Sequence, residues 1–163
     1  MRWFDAVLRP ELSDISAYRP AHADAGVARL DANESPYGLS DSARRHLADA
    51  LARVDLHRYP DVRATKLREA IAEREQAHPE QIVIGCGSDE IIALIIGALS
   101  RPRAGKTQAT VMFPDPSFVM FRVSALVNGA RPVGVALDDA WDLDADAMVH
   151  AMDEHQPSVA ACN

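Results

Sequence analysis

Short apolar runs alternate with amphipathic helical segments from residue 79 onward, and this alternation restricts the fold more than any other feature of the sequence. Strands are predicted at 81–85, 110–113, 132–137 and 158–162, and helices at 89–99, 117–127 and from Asp144 onward. The second of these strands is expected to stop at Pro114. Strands that alternate with helices favour a mostly parallel sheet with helices on both faces, so the predicted fold class is α/β.

Two further amphipathic helices are predicted ahead of the sheet, behind an irregular arm at residues 1–30. Ser40 has a side-chain oxygen that can cap the first helix, and Asp144 can cap the helix that follows it near the end of the chain. Residues at helical spacing are expected to face inward on both. They are Ala43, Leu47, Ala50, Leu51 and Val54 in the first helix, and Leu67, Ala70 and Ile71 in the second.

Composition excludes several classes of protein. The chain has 17 Lys and Arg residues against 24 Asp and Glu residues, a net charge of −7, which argues against a general nucleic-acid binder. The longest apolar run, 91–99, is too short to cross a bilayer, and residues 1–10 lack the features of a signal peptide. Two cysteines, Cys86 and Cys162, do not make a disulfide framework, so we expect a cytoplasmic protein. We expect both cysteines to be small buried side chains and not nucleophiles.

A glycine-rich turn, Gly85-Cys86-Gly87-Ser88, joins a predicted strand to a predicted helix. Small residues allow a close approach of the backbone to a ligand, and the N–H groups that begin a helix attract anions. The turn fits a phosphate cradle, or an ordinary connection in which Ser88 caps the helix. It is neither a dinucleotide fingerprint, which needs a third glycine, nor a Walker loop, which needs Gly-Lys-Ser/Thr.

Three other side chains have both a functional and a structural interpretation. Phe118 follows a strand end and can stack on a planar ring or pack in the core. Tyr59 can offer its hydroxyl to a phosphate or hold its own turn. Asn33 can reach a substrate or bond to its own loop. The six histidines show no metal-ligand spacing, so no metal site is predicted.

Five motifs occur in one order along the chain. They are LDANESPYG at 30–38, RYPD at 58–61, GSDE at 87–90, PSFVMF at 116–121 and WDLD at 141–144. Together, with their spacing, they resemble histidinol-phosphate aminotransferases, which belong to the class I/II aminotransferases of pyridoxal-phosphate fold type I. The resemblance extends from about residue 15 to residue 163.

The resemblance implies a pyridoxal 5'-phosphate enzyme of histidine biosynthesis, cytoplasmic and homodimeric. Its small-molecule reaction converts histidinol phosphate and 2-oxoglutarate into imidazole acetol phosphate and glutamate, with the cofactor as electron sink. It implies an arm and small-domain segment at 1–57. Residues 58–163 would be the first part of the large cofactor-binding domain.

The resemblance also implies roles for individual residues. Ser88 and Asp89 would hold the cofactor phosphate at a helix N-terminus, and Phe118, commonly Tyr in the family, would stack on the pyridine ring. Tyr59 would reach the cofactor phosphate of the neighbouring subunit. Tyr18 and Asn33 match positions near the substrate.

The catalytic lysine of the family has no counterpart in this sequence. Lys66 and Lys106 are the two lysines, and both are expected at the surface. In the family a Pro-Asn-Asn-Pro-Thr-Gly turn follows the strand that ends at 163. Later come the Schiff-base lysine, an aspartate for the ring nitrogen and substrate-binding arginines. We therefore expect a truncated chain that has no catalytic residue and is inactive alone.

Other functions stay open from the sequence. The first half of the fold does not distinguish this activity from threonine-phosphate decarboxylase or from an aminotransferase for another amino acid. A non-catalytic fragment that dimerises is a further alternative. A Rossmann-type nucleotide binder is disfavoured by the missing third glycine.

Overall fold

The structure is a computed structural model that describes residues 7–12, 15, 26–27, 30 and 33–162. The elements along the chain are α1 (Asp41–Leu51), α2 (Thr65–Glu75), α3 (Ser88–Leu99), β1 (Thr110–Asp115), α4 (Met120–Val127), β2 (Arg131–Ala136), α5 (Ala145–His155) and β3 (Val159–Ala160). In the part of the chain described, no helix is long and apolar enough to span a membrane.

The three strands among the described residues form one parallel sheet in the order β2-β1-β3. β1 pairs with β2 along its whole length, from Thr110 opposite Arg131 to Asp115 opposite Ala136. It pairs with β3 over two residues, Val111 and Met112. The predicted α/β class with a parallel sheet is confirmed.

The core lies on both faces of β1, because alternate residues of a strand point to opposite sides. Val111 and Phe113 join a buried cluster with Ile96 of α3 and Ala125 of α4. Met112, which is fully buried, alternates to the other face, and α5, which contacts β1 and β2, contributes buried Met148. The helices therefore cover the sheet from two sides.

Two predicted helix caps are confirmed. The Ser40 side chain accepts a hydrogen bond from the Ala43 N–H at 3.3 Å, and α1 begins at the next residue. The Asp144 carboxylate accepts a hydrogen bond from the Ala147 N–H at 2.9 Å, and α5 begins at Ala145. Each side chain satisfies one of the N–H groups that a helix start leaves without a partner.

The strand predicted at 81–85 is not formed. Residues Pro79–Gln81 make a 3-10 helix instead, and no described strand pairs with residues 82–85. A β-branched run favours extended backbone, but a strand also needs a neighbour to accept its ladder hydrogen bonds. Ile82 and Ile84 are nevertheless half-buried, whereas Val83 is exposed.

The second strand does not stop at Pro114, which is a buried residue inside β1. The Thr110 and Met112 carbonyls accept from Ser158 and Ala161, so the even-numbered residues of β1 direct their backbone groups toward β3. The backbone nitrogen of Pro114 lies on that same side, where the pairing between β1 and β3 has already ended at Met112. The N–H that proline lacks is therefore not needed by any residue pair of this ladder.

The predicted inner faces of the first two helices are mostly uncovered. Leu47 and Leu51 are each more than half exposed, and so is Val54, which lies beyond the end of α1 at Leu51. In α2 the buried residue is Ala72, while Leu67 is exposed and Ile71 is half-buried. An amphipathic pattern specifies which face is apolar, but burial needs a second surface to cover it. The division at residue 57 stays a prediction.

Candidate functional site

Helices α3 and α4 lie side by side against one face of the sheet. Near their C-terminal ends, a Cβ added to Gly97 would lie 3.0 Å from Asn128 Oδ1. Nearer their starts, Ile92 and Phe121 pack against the same cluster. Ser88 begins α3 and Phe118 shortly precedes α4, so both lie at the carboxyl edge of the parallel sheet. Ligands of open α/β sheets bind outside this edge.

Gly87 makes the start of α3 an open one. It is the N-cap residue with φ +84°, a conformation that favours glycine, and it offers no side-chain cap. A Cβ there would meet no atom within 4 Å. Ser88 is therefore the first residue of the helix, and its interpretation as an ordinary cap is wrong. Cys86 and Cys162 are both exposed, contrary to the expectation of buried thiols.

Glu90 folds the glycine turn onto the first turn of α3. Its carboxylate accepts a hydrogen bond from the Cys86 N–H. A Cβ on Gly85 would lie 2.8 Å from Ile91 Cδ1 and 3.0 Å from Glu90 Oε2, so a larger residue there would require these two side chains to shift. The Glu90 carboxylate therefore occupies one side of the turn at Cys86, whereas the space beside Gly87, before the first N–H groups of α3, is empty in the described part of the chain.

The first N–H groups of α3 remain available to a ligand. Among the residues that the structure describes, none accepts a hydrogen bond from the N–H of Ser88 or Asp89. Both residues are exposed. Unpaired N–H groups and the positive end of the helix dipole together suit an anion such as a phosphate.

Phe118 is partly exposed and supported from behind by other rings. It is 39% exposed and stands perpendicular to Phe121, with ring centroids 6.3 Å apart. Phe121 in turn stacks on Phe113 of β1 at 6.1 Å. The ring therefore belongs to the α3–α4 side of the sheet, the side on which Ser88 lies. A common pocket for Phe118 and Ser88 stays a prediction.

The other predicted site residues that the structure describes, Tyr59 and Asn33, are both exposed. Tyr59 is 98% exposed in the turn between α1 and α2, so it makes almost no contact with the described chain. Asn33 is exposed and has a left-handed φ of 50°. Tyr18 lies outside the described residues.

Glu90, Asp115 and Arg122 form side-chain hydrogen bonds beside Ser88 and Phe118, and the sequence patterns assigned no role to them. A glutamate at the third helical position resembles half of a capping box, so Glu90 had a local signal. The Arg122 side chain bonds to Asp115 across seven residues and a turn, which no periodic pattern indicates. No three metal-ligand side chains cluster among the described residues.

Comparison with known proteins decides the family. The family model "Aminotransferase class I and II" matches residues 25–163, which is most of the chain. The chain belongs to this family. Aminotransferases of class I and II depend on pyridoxal phosphate, act on small molecules and are usually dimeric.

This aminotransferase chain has curated relatives of about 40% identity. It is 40% identical to the histidinol-phosphate aminotransferase of Chromobacterium violaceum over 154 residues, which cover 94% of this chain and 42% of the relative. It is also 40% identical to histidinol-phosphate aminotransferase 1 of Ralstonia nicotianae, over 94% of this chain and 40% of the relative. The chain thus spans about two fifths of the length of these relatives.

Solved structures of the family share the fold. A crystal structure of a putative histidinol-phosphate aminotransferase from Erwinia carotovora atroseptica superposes with a TM-score of 0.63 at 24% identity, over 75% of this chain and 33% of that one. The histidinol-phosphate aminotransferase of Clostridium acetobutylicum gives 0.58 at 22% identity, over 75% and 33%. The described α/β unit is therefore part of the aminotransferase fold.

Proposed function

We propose that this chain is the amino-terminal part of a histidinol-phosphate aminotransferase, which transfers the amino group of histidinol phosphate to 2-oxoglutarate. The observation that carries the proposal is the open start of α3 at the sheet edge that also carries Phe118. Relatives that are 36–40% identical over 93–95% of the chain bear that name, which supports the substrate.

The open start of α3 fits the phosphate of pyridoxal phosphate. The N–H groups of Ser88 and Asp89 have no acceptor within the described chain, and Gly87 leaves the space before them free. They would donate to the phosphate oxygens, and the Ser88 hydroxyl would add a donor. Charge-assisted bonds of this kind are stronger than neutral ones, so the phosphate would anchor the group.

Phe118 would orient the cofactor ring. When bound, pyridoxal phosphate supplies an electron sink for the carbon that exchanges the amino group. An aromatic face held by Phe121 can stack on a pyridine ring and limit its tilt. Phe118 has no hydroxyl, so it would contribute packing and the exclusion of water, without a hydrogen bond.

Tyr59 would act on a second subunit. Its side chain is almost fully exposed and makes almost no contact with the described residues, which suits a residue that reaches the phosphate bound by a neighbour. We assign Asn33 and Tyr18 to the substrate side of the site. A homodimer is part of this proposal.

Neither lysine would be positioned to move a proton at the bound cofactor. Lys106 precedes β1, and its backbone N–H donates to the Arg103 carbonyl. This turn lies at the amino ends of the strands, opposite to Phe118. Lys66 is exposed on α2. Because proton transfer needs a positioned amine, we expect the 163-residue chain to bind the cofactor phosphate without catalysing transamination.

The test measures binding of pyridoxine 5'-phosphate, which has no aldehyde and cannot react with surface amines. Ser88→Pro removes one N–H and one hydroxyl. It keeps α3, because proline fits the first position of a helix. We expect affinity to fall about tenfold or more, since a bond to a charged group contributes about 1.5–3 kcal/mol. Asp41→Pro, at the first position of α1, is the matched control.

Equal binding of pyridoxine with and without its phosphate, or no effect of Ser88→Pro, would contradict the proposed phosphate site. Conversion of histidinol phosphate by the purified chain, at a rate that Lys66→Ala or Lys106→Ala abolishes, would contradict the expected inactivity of the chain alone.

A further inference from the structure

A charged pair closes the turn that carries Phe118. Asp115 ends β1 and Arg122 lies in the first turn of α4, with Phe118 between them in sequence. Arg122 Nη2 donates to Asp115 Oδ2 at 3.0 Å. The same guanidinium lies over the Phe113 ring, 5.5 Å from its centroid.

The neighbouring strand fixes the position of the Asp115 carboxylate. A Cβ added to Gly134 of β2 would lie 2.6 Å from Asp115 Oδ2 and 2.7 Å from Asp115 Cβ. The aspartate therefore lies directly over the glycine backbone, where no larger residue leaves room for it. Arg122 thus bonds to a carboxylate that is already held against the sheet.

The contacts of Arg122 lead to Phe118 by two routes. Through Asp115 it closes the turn in front of α4, and through Phe113 it contacts the ring on which Phe121 stacks. Phe121 then supports Phe118 at a right angle. Both charged side chains are nearly half exposed, so the pair contributes little to the free energy of unfolding.

We propose that Arg122 is a positioning residue that holds the turn at 116–119 and thereby sets the orientation of the Phe118 ring. The consequence for the cofactor ring rests on the function proposed above. Arg122 itself would touch neither cofactor nor substrate.

The ring orientation is measured first without any cofactor. The full chain is labelled with fluorophenylalanine, and Phe118→Leu assigns the ¹⁹F resonance of Phe118. We expect Arg122→Met and Asp115→Asn to shift or broaden this resonance, and Arg122→Lys to restore it in part. Arg63→Met is the matched control, because Arg63 pairs with Glu80 at 3.2 Å on the surface. An unchanged Phe118 resonance in both Arg122→Met and Asp115→Asn would overturn the proposal.

The second measurement compares two ligands. We expect Arg122→Met to weaken binding of pyridoxine 5'-phosphate about threefold to tenfold and to reduce its induced circular dichroism, while inorganic phosphate binds as before. Equal loss for both ligands would show that Arg122 acts on the phosphate site instead, and would overturn the proposal. If the unaltered chain binds neither ligand, the proposed function fails, and the ¹⁹F spectra still decide whether Arg122 positions Phe118.

Discussion

Glu90 shows how one side chain can shape the proposed phosphate site without touching the phosphate. Its carboxylate accepts from the Cys86 N–H and closes the glycine turn. Replacement by alanine leaves that N–H without its acceptor, and a typical hydrogen bond contributes about 1 kcal/mol. We expect Glu90→Ala to lower the affinity for pyridoxine 5'-phosphate about fivefold in a calorimetric titration. Glu90→Gln keeps an acceptor oxygen and should bind nearly as well as the unaltered chain; equal losses would contradict this role.

The carboxyl group of Asp61, which precedes α2, has a pKa that its hydrogen bonds lower. Hydrogen bonds from the Thr65 side chain, then from the Thr65 and Arg63 N–H groups, lower the pKa of its carboxyl below the ordinary value. A pKa lowered by folding stabilises the folded chain above the ordinary pKa, and this stabilisation is lost as the pH falls through the lowered value. NMR titration should show a low pKa for Asp61 that rises in Thr65→Ala. The same pKa in both chains would contradict the assigned cause.

At the scale of elements, the contact between β1 and β2 depends on one glycine. A methyl group at Gly134 would overlap Asp115, whose Cβ cannot move away without the strand. Overpacking of this kind costs about 1–3 kcal/mol, so we expect Gly134→Ala to lower the free energy of unfolding by about that amount in urea. In the Asp115→Gly background the same change should cost less. Additive effects would exclude the overlap as the cause.

The burial of Met112 in the central strand β1 leads to a prediction about core packing. Met112 is fully buried, whereas Met152 on α5 is 36% exposed. Truncation of a buried methionine removes its transfer free energy and leaves a cavity, at a cost of about 2–5 kcal/mol. We expect Met112→Ala to unfold at much lower urea concentration than Met152→Ala. Similar midpoints for the two variants would contradict the assignment of β1 to the core.

Elements with a strong local pattern were predicted well. The capped helices α1 and α5 begin where Ser40 and Asp144 indicated, because a cap is a bond between residues three positions apart. Pro114 was expected to end a strand, yet it lies inside β1. Its tolerance depends on where β3 stops, and that information lies more than forty residues away in the sequence.

At the scale of the whole molecule, the exposed apolar face of α1 predicts self-association. Leu47 and Leu51 are both more than half exposed, and contiguous apolar surface of this kind marks an interaction site. We expect sedimentation velocity to show species larger than the 17.7 kDa monomer, and Leu47→Asp to reduce them. Val149→Asp, at an exposed position of α5, is the control. A chain that stays monomeric in all three forms would contradict a role for this face.

The sequence by itself determined the α/β class, the order of most elements, the helix caps and the family, because these depend on short-range periodicity and on motifs that can be read in order. It also singled out Ser88, Asp89 and Phe118 as one candidate site.

Only the tertiary structure decided what depends on partners distant in the chain. Residues 82–85 stay outside the described sheet because no described strand accepts their hydrogen bonds, and α1 stays exposed because nothing described covers it. Gly87 was shown to leave the start of α3 open, and Arg122 to bond to Asp115 across a turn. Hydrogen-bond partners and burial are properties of surfaces that meet in three dimensions, so a local pattern can propose them but cannot supply the second surface.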